Sequence, residues 1–550
     1  MVVNQIISKS QEFFNRKSSS ILSAAAIIGL SYLGSALLGL VRNHLLAARF
    51  FGGMEADLDV YFAAFVIPDT IFQLLVVGAV SAAFIPVYQE YFEKSEKQAN
   101  ELANAALTII GFVLLFFSIL IALFARPLAG LLAHYPPDKL DLMAGLIRLM
   151  AVAQMLFTVS AFLTGVLQSQ RRFLIPALAP LLYNVGTITG IFFLSHRFGI
   201  YSAAIGVVFG AFLHMAIQLP TAKSIGYWPK LVFRLRHPGV LSIIHLMPPR
   251  AMALGLDQIE RWVAVNLTSY LAIGSLSIFN FARQLYVLPI SLFGVSLSQA
   301  SFPSLAQEAL LSDKTKFRQT LSKSILQIFF FALPASVLVL VLRIPLVRLA
   351  FGAKNFPWEA TLLTGKALAF LAISIAPQAV TNTLTRALHA LKDTKTPLYI
   401  GFITMAVFIS LAYVFGFITE RTVAGVTLAL SIGNLLDFIL SYWAVRFKVG
   451  SLGISLRITK MFLVSCFTGV SLWLPMRLLD QLVFDTTRTI PLIALTLIVT
   501  IVGSSVYLFF CFLFKVEELQ DVILMVRKIG NWRKILASSD EVLESTPDGI

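Results

Sequence analysis

The chain has 550 residues, of which 58% are hydrophobic and only 13% are charged, and its formal net charge is +15. This composition excludes an ordinary soluble domain. Apolar runs of about 20 residues, the length that crosses a bilayer as a helix, recur along the sequence. The runs are unbroken, which excludes a membrane barrel because barrel strands alternate polar and apolar residues. The composition therefore predicts an all-α polytopic membrane protein.

Fourteen apolar runs are candidate transmembrane helices. They lie at about residues 21–41, 60–88, 104–125, 143–168, 174–195, 199–220, 242–270, 274–302, 324–349, 360–388, 397–417, 422–445, 456–475 and 490–514. The first run follows three basic residues but is too long for the hydrophobic part of a signal peptide. We interpret it as a retained first helix.

Four prolines of the first half recur about 220 positions later, which predicts an internal duplication. The pairs are Pro68 with Pro289, Pro86 with Pro303, Pro127 with Pro345, and Pro176 with Pro397. The duplication predicts an N-lobe at 21–222 (helices 1–6), a linker at 223–239 and a C-lobe at 240–446 (helices 7–12). Six is an even number, so the two copies share one orientation. The prolines either kink packed helices or act as hinges during transport.

Basic residues are concentrated in alternate loops, as the positive-inside rule requires of cytoplasmic loops. This pattern places both termini in the cytoplasm, including residues 1–20 and an amphipathic tail at 516–550. It also accounts for most of the net charge, so no nucleic-acid binding is predicted. Residues 447–515 add helices 13 and 14, which have no counterpart in the duplication.

Charged residues inside apolar runs are costly and are therefore candidates for function. Four arginines, whose planar guanidinium groups suit phosphate oxygens, are predicted to bind an anionic head group; they are Arg42, Arg250, Arg261 and Arg283. Asp59 lies at the mouth of the second run. The alternative is that each arginine pairs with a nearby carboxylate or reaches the membrane surface.

Asp257, Asn434 and Asp437 are oxygen-bearing side chains deep in the seventh and twelfth runs. Such groups can bind Na⁺ or a proton and couple its movement to transport. The alternative for Asp257 is a structural ion pair with Arg261, four residues later. The sequence contains no Walker motif and no metal-binding or catalytic constellation, so neither a cofactor nor an enzymatic activity is predicted.

Three stretches resemble the MurJ/MviN family of lipid II flippases, which belongs to the superfamily of multidrug, oligosaccharidyl-lipid and polysaccharide exporters. The matching residues are Arg42, Arg49 to Gly52, Asp59, Phe62, Phe65, Pro68, Gly78, Ala79, Ser81, Phe84 and Pro86; Leu285 to Pro289, Leu292 to Val295 and Phe302 to Leu305; and Arg386 to Leu388 with Lys392 to Pro397. The resemblance covers nearly the whole chain and agrees with the count of fourteen helices.

The resemblance implies transport of the undecaprenyl-diphosphate-linked peptidoglycan precursor to the outer leaflet of the bacterial inner membrane, by alternating access. It assigns Arg42 and Asp59 to a cationic cavity, and helices 13 and 14 to a groove for the lipid tail. Membrane lipids and cell-wall synthesis proteins are its expected partners. The chain departs from the family pattern at five positions. Arginines are usual at the positions of Ala36, Phe72, Gln73 and Gln284, and a glutamate is usual at that of Val77. Arg283 immediately precedes Gln284.

Other functions stay open from the sequence. One alternative is an exporter of another lipid-linked saccharide or of an amphipathic drug. A second, from a different class, is a non-transporting membrane scaffold for envelope assembly. A membrane glycosyltransferase or phosphatase is disfavoured because no loop carries clustered acidic or histidine residues.

Overall fold

The computed structural model describes residues 21–234, 236–419, 422–479, 484 and 488–520. These residues form helices and no strands, which confirms the predicted all-α class. The principal helices are α1 Ile21–Phe50, α2 Glu55–Val77, α3 Glu96–Leu123, α4 Pro137–Ser169, α5 Leu174–Phe198, α6 Tyr201–Ser224, α7 Pro238–Ser269, α8 Ser275–Glu308, α9 Thr315–Val341, α10 Trp358–Ile373 with Ile375–Ala390, α11 Lys395–Ile418, α12 Val423–Val449, α13 Ser455–Leu478 and α14 Thr489–Leu513.

Among the described residues, 11 helices are long and apolar enough to cross a membrane, or 12 if the two parts of α10, bent by 45°, count as one span. The other two predicted spans correspond to α1 and α7, which are 30 and 32 residues long. α7 carries three charged side chains within residues 257–261, which lower its hydropathy. The protein is a multi-pass membrane protein.

Two positions that correspond in the predicted duplication have the same backbone conformation at a helix end. Arg171 after α4 and Lys392 after α10 both have a φ of 61°, a left-handed conformation that is uncommon for residues other than glycine. Each is followed by the same closing hydrogen bond, Arg172 N to Leu167 O and Asp393 N to Leu388 O, both 2.9 Å long. Equivalent sequence positions therefore terminate equivalent helices in the same way.

The repeated prolines lie near π-helical turns. Gln73–Val77 in α2 and Ile290–Val295 in α8 are both π-helical, and they follow Pro68 and Pro289. A π-turn inserts an extra residue into a helix and interrupts its regular hydrogen bonding. The helical hydrogen bonding is therefore irregular close to both prolines, as expected where a helix is kinked. Movement at these turns stays a prediction.

The chain packs as two compact units. Of the described residues, the first contains 21–285, 346–371 and 401–433, and the second contains 286–345, 372–400 and those from 434 to 520. Compactness is a different property from internal repetition, so the lobes derived from the duplication stay a prediction.

The first unit contains a close helix crossing made by glycines. A Cβ atom added to Gly186 of α5 would lie 2.4 Å from the Cα of Gly210 in α6, and one on Gly190 would lie 2.4 Å from the Cα of Gly206. Small residues allow two helix backbones to approach in this way in a membrane. The crossing fixes α5, which carries Asn184, one of the residues of the site described below.

The ends of the predicted linker belong to α6 and α7, and its described residues 225–234 contact α3 without forming a regular helix. Asn104 Oδ1 accepts a hydrogen bond from Lys230 N at 3.0 Å, and Thr108 Oγ1 accepts one from Val232 N at 2.9 Å. Two side chains of α3 therefore satisfy backbone donors of the linker, as non-helical backbone near a membrane requires.

The second unit is built on an apolar cluster contributed by α8, α9, α10, α12, α13 and α14. Phe317, Leu321 and Ile325 of α9 are fully buried in it. Tyr507 of α14 donates a hydrogen bond to Phe330 O at 3.0 Å, which ties the last helix to α9. Helices 13 and 14 are thereby integral parts of this unit.

Candidate functional site

Arg42 of α1 is held by neutral side chains. Its Nη1 donates to Asn184 Oδ1 at 3.2 Å, its Nε donates to Asn43 Oδ1 at 3.3 Å, and its guanidinium carbon lies 5.9 Å from the centre of the Tyr183 ring. Among the described residues, its hydrogen-bond partners are amides rather than carboxylates. Its positive charge is thus positioned without a partner of opposite charge, which suits an arginine that binds an anion.

The orientation of Asn184 is fixed by its own amide nitrogen. Nδ2 donates to Ser35 O at 3.2 Å, to Ser35 Oγ at 3.2 Å and to Pro180 O at 3.1 Å. The amide oxygen is consequently the atom that faces Arg42, because the nitrogen is already used. α5 therefore acts as a support that orients the arginine of α1.

Gln284 of α8 is directed toward the same cluster. Asn43, next to Arg42, donates from Nδ2 to Gln284 Oε1 at 3.3 Å. Arg283, one residue earlier, is directed instead toward α7, where its Nη2 lies 3.1 Å from Glu260 Oε1. One residue corresponds to about 100° of helix rotation, which separates the two directions. The side chain of α8 that approaches the neighbourhood of Arg42 is thus Gln284.

Arg261 of α7 forms an ion pair with α2. Its Nη1 lies 2.8 Å from Asp69 Oδ2. The next residue, Trp262, donates from Nε1 to Thr70 Oγ1 at 2.8 Å, and Thr70 Oγ1 also lies 3.4 Å from Gln258 Oε1. The predicted alternative of a carboxylate partner is therefore realised for Arg261, but with Asp69 rather than with Asp257.

Asp59 caps the beginning of α8 from α2. Its Oδ2 accepts from Gly274 N at 2.8 Å, and its Oδ1 accepts from Ser277 N at 2.7 Å and Ser277 Oγ at 2.6 Å. The side chain is buried, with 3% of its surface exposed. A carboxylate at a helix N-terminus satisfies free amides and interacts favourably with the helix dipole. Asp59 thus connects α2 to the loop between α7 and α8.

The candidate cation ligands lie in both units. Asp257 is exposed on α7, in the first unit. In the second unit, Asn434 Nδ2 donates to Tyr286 Oη at 3.0 Å, and Asp437 accepts from Ser441 Oγ at 3.1 Å. Asn434 therefore has its amide nitrogen engaged, which leaves its oxygen as the atom that could bind a cation.

Asp393, within the sequence motif Lys392 to Pro397, has a structural role. Asp393 accepts from Thr396 N at 3.0 Å and from Thr396 Oγ1, and Lys448 Nζ lies 2.9 Å from it. Partial burial alone would raise the pKa of Asp393, but the hydrogen bonds from Thr396 and the ammonium of Lys448 lower the pKa to about 2. This carboxylate stays ionised and anchors the start of α11 to the end of α12.

The side chain of Arg250 lies outside the described residues, although its backbone belongs to α7. The sequence did not predict the polar partners of Arg42 and Arg261, which are Asn43, Asn184 and Asp69. Asp69 could have been predicted as a functional residue, since it is a carboxylate within an apolar run and follows the repeated Pro68. The two asparagines are uncharged, and their role depends on which helices pack together.

The family model described as lipid II flippase MurJ matches residues 47–506. The chain belongs to the MurJ family.

Similar proteins support this assignment over most of the chain. A protein described as probable lipid II flippase MurJ from Thermotoga maritima is 29% identical over 490 residues, which cover 89% of this chain and 96% of that protein. Lipid II flippase MurJ from Burkholderia cenocepacia is 27% identical over 422 residues, covering 75% of this chain and 81% of that protein. The MurJ family is a transporter family.

Solved structures agree in fold. A structure described as lipid II flippase MurJ in an inward closed conformation matches with a TM-score of 0.73 at 25% identity, covering 90% of this chain and all of that chain. An inward-facing multidrug transporter of the MATE family matches with a TM-score of 0.63 at 15% identity, covering 76% of this chain and 96% of that one. The second likeness extends to the fold alone.

Proposed function

We propose that this protein is a flippase that moves lipid II, the undecaprenyl-diphosphate-linked peptidoglycan precursor, from the inner to the outer leaflet of the bacterial inner membrane. The observation that carries the proposal is the match to the MurJ family model over residues 47–506. The environment of Arg42 supports it, because this arginine is positioned by neutral groups and is available to a diphosphate.

The chemistry of the substrate assigns roles to the residues of the site. The diphosphate carries the negative charge that makes the lipid unable to cross a bilayer unaided, and arginines can replace its hydration. Arg42, Arg250, Arg261 and Arg283 are the proposed ligands, with Asn43, Asn184 and Gln284 as neutral polar neighbours. Asp59 joins α2 to α8 and is proposed to stabilise one of the two alternating-access states. Helices 13 and 14 are proposed to hold the lipid tail.

One alternative within transport is favoured by a specific observation. Gln284 occupies the position at which the family usually carries an arginine, and it is directed toward the neighbourhood of Arg42. A site with one positive charge fewer would accept a head group with less negative charge, such as a lipid-linked saccharide with a single phosphate. Complementation of a strain depleted of its own lipid II flippase distinguishes these two substrates. Growth of the strain supports lipid II as the substrate. Failure to grow, although the protein is present in the membrane, contradicts it.

The orientation prediction places both termini in the cytoplasm. Lys230 and Lys316 are then cytoplasmic, whereas Arg421 and Asp480, which lie outside the described residues, are external. Single cysteines at these four positions, in a background without Cys466 and Cys511, are treated in intact cells with an impermeant thiol reagent. We expect labelling at positions 421 and 480 alone. Labelling at 230 or 316 would show the opposite orientation.

Cation coupling through Asp257, Asn434 and Asp437 is a further proposal. Neutralising both carboxylates, as Asp257→Asn with Asp437→Asn, removes the charges that would bind Na⁺ or a proton. We expect the double variant to remain folded and to transport without dependence on a sodium or proton gradient. Transport with an unchanged gradient dependence would leave the two residues as structural partners only. Asp138→Asn, which alters an exposed carboxylate, serves as the control.

A further inference from the structure

Two of the arginines assigned to the diphosphate are already paired with carboxylates of neighbouring helices. Arg261 pairs with Asp69 of α2 at 2.8 Å, and Arg283 pairs with Glu260 of α7 at 3.1 Å. We propose that Asp69 and Glu260 are resident counter-ions that the head-group diphosphate displaces, and that this displacement releases α7 from α2 and α8. The inference rests on the proposed function, since it concerns how the same arginines receive their substrate.

The present pairing leaves arginine donors unused. The pairing of Arg261 with Asp69 is one hydrogen bond, from Nη1 to Oδ2, rather than the two parallel contacts that a guanidinium can make. The Nε of Arg261 is buried and lacks a hydrogen-bond partner among the described residues. A buried donor without a partner is energetically unfavourable. Diphosphate oxygens, which are more numerous and more highly charged, could use the donors that the carboxylates leave free.

Both pairs are accessible to an incoming anion. The side chains of Arg261 and Arg283 are 43% and 31% exposed, whereas those of Asp69 and Glu260 are 19% and 22% exposed. The arginines are thus more open than their partners. An anion can contact the guanidinium groups before the carboxylates leave.

The two pairs act on the same helix from two sides. Glu260 and Arg261 are consecutive residues of α7, so they project about 100° apart around its axis. Glu260 is directed to α8 and Arg261 to α2. Displacement of both carboxylates by the head group would therefore break these two ion pairs of α7. The neutral contact between Trp262 and Thr70 would remain.

The ordinary alternative is that the two pairs only stabilise the fold. The two explanations predict different effects of Glu260→Gln on substrate binding. If Glu260 competes with the substrate, Glu260→Gln frees Arg283 and strengthens binding. If the pair only holds the helices, the same change weakens binding or leaves it unaltered, because Arg283 loses its position.

The test measures the affinity of the purified full-length protein for a short-chain lipid II, for wild type, Glu260→Gln, Arg283→Gln and the double variant. We expect Glu260→Gln to bind about tenfold more tightly, the value of one charge-assisted contact. In the Arg283→Gln background, the Glu260 change should alter the affinity by no more than about twofold, because the arginine it frees is absent. Asp141→Asn breaks an exposed ion pair with Arg126 and is the matched control, with unchanged affinity expected.

Separate outcomes distinguish the two proposals. Wild-type protein that binds the lipid equally well without its diphosphate contradicts the proposed function. Wild-type protein that requires the diphosphate, with a folded Glu260→Gln variant of equal or lower affinity, overturns the counter-ion inference alone. Should that variant fail to fold, Asp69→Asn, which frees Arg261, decides in the same way. Loss of folding in both variants would show that the pairs are structural and would also overturn the inference.

Discussion

Replacing Arg42 by alanine is expected to abolish lipid II transport without removing the protein from the membrane. Arg42 contacts Asn184, Asn43 and the Tyr183 ring, none of which needs its charge in order to pack. Charge-assisted hydrogen bonds contribute about 1.5–3 kcal/mol each, so the loss of one should weaken head-group binding by roughly ten- to a hundredfold. Growth of a strain depleted of its own flippase, with immunoblotting of the membrane fraction, measures both parts of the prediction.

Lysine at the same position should restore transport only in part. Its ammonium group supplies the charge, but it cannot present two parallel donors to phosphate oxygens. Arg126→Ala is the matched control, because Arg126 is an exposed arginine that pairs with Asp141 of α4 rather than with a residue of the candidate site. Full growth with Arg42→Ala, at normal protein abundance, would remove Arg42 from the substrate site.

Replacing Asp59 by alanine is expected to destabilise the protein and to stop transport. The change leaves the amides of Gly274 and Ser277 and the Ser277 hydroxyl without their acceptor in a buried position. Unsatisfied buried donors cost about 1–3 kcal/mol each, so a total loss of about 3–9 kcal/mol is expected for the three donors. Asp59→Asn keeps one acceptor oxygen and should show an intermediate loss.

The apparent melting temperature of the purified protein checks this prediction. With an unfolding entropy of about 2.1 cal/mol/K per residue over 550 residues, a loss of that size corresponds to a decrease on the order of 3–8 °C. Asp138→Ala is the control, because the Asp138 side chain is 71% exposed and forms only a long contact with Lys139. A melting temperature for Asp59→Ala equal to that of the control would show that the cap on α8 contributes little.

The helical architecture was predictable because it depends on local composition. Apolar runs of sufficient length place helices in a membrane whatever their neighbours are. The duplication was inferred from proline positions, which constrain the backbone directly, and it stays a prediction. Arg171 and Lys392, which correspond in the predicted repeat, both have a left-handed backbone conformation.

The partners of the charged residues were not predictable in the same way. Spacing along α7 suggested that Arg261 would pair with Asp257, four residues away, yet its partner is Asp69 of another helix. That pairing depends on which faces of α2 and α7 meet, a property of tertiary packing. Because a pair within one helix gains only a few tenths of a kcal/mol, it is easily replaced by a partly buried partner.

The direction of Arg283 illustrates the same limit. The family resemblance left open whether Arg283 takes the place of the arginine usually found at the position of Gln284. A shift of one residue changes the direction of a side chain by about 100°, and the sequence does not define how α8 is rotated. In the structure, Gln284 approaches Asn43 while Arg283 pairs with Glu260.

Transport in a purified system tests the central claim most directly. The protein is reconstituted into liposomes that contain lipid II, with defined sodium gradients and membrane potentials, and the lipid exposed on the outer surface is measured over time. We expect wild-type protein to expose lipid from the inner leaflet faster than protein-free liposomes, and Arg42→Ala to match the protein-free liposomes. Exposure no faster than in protein-free liposomes, under every gradient and potential, would contradict the flippase account.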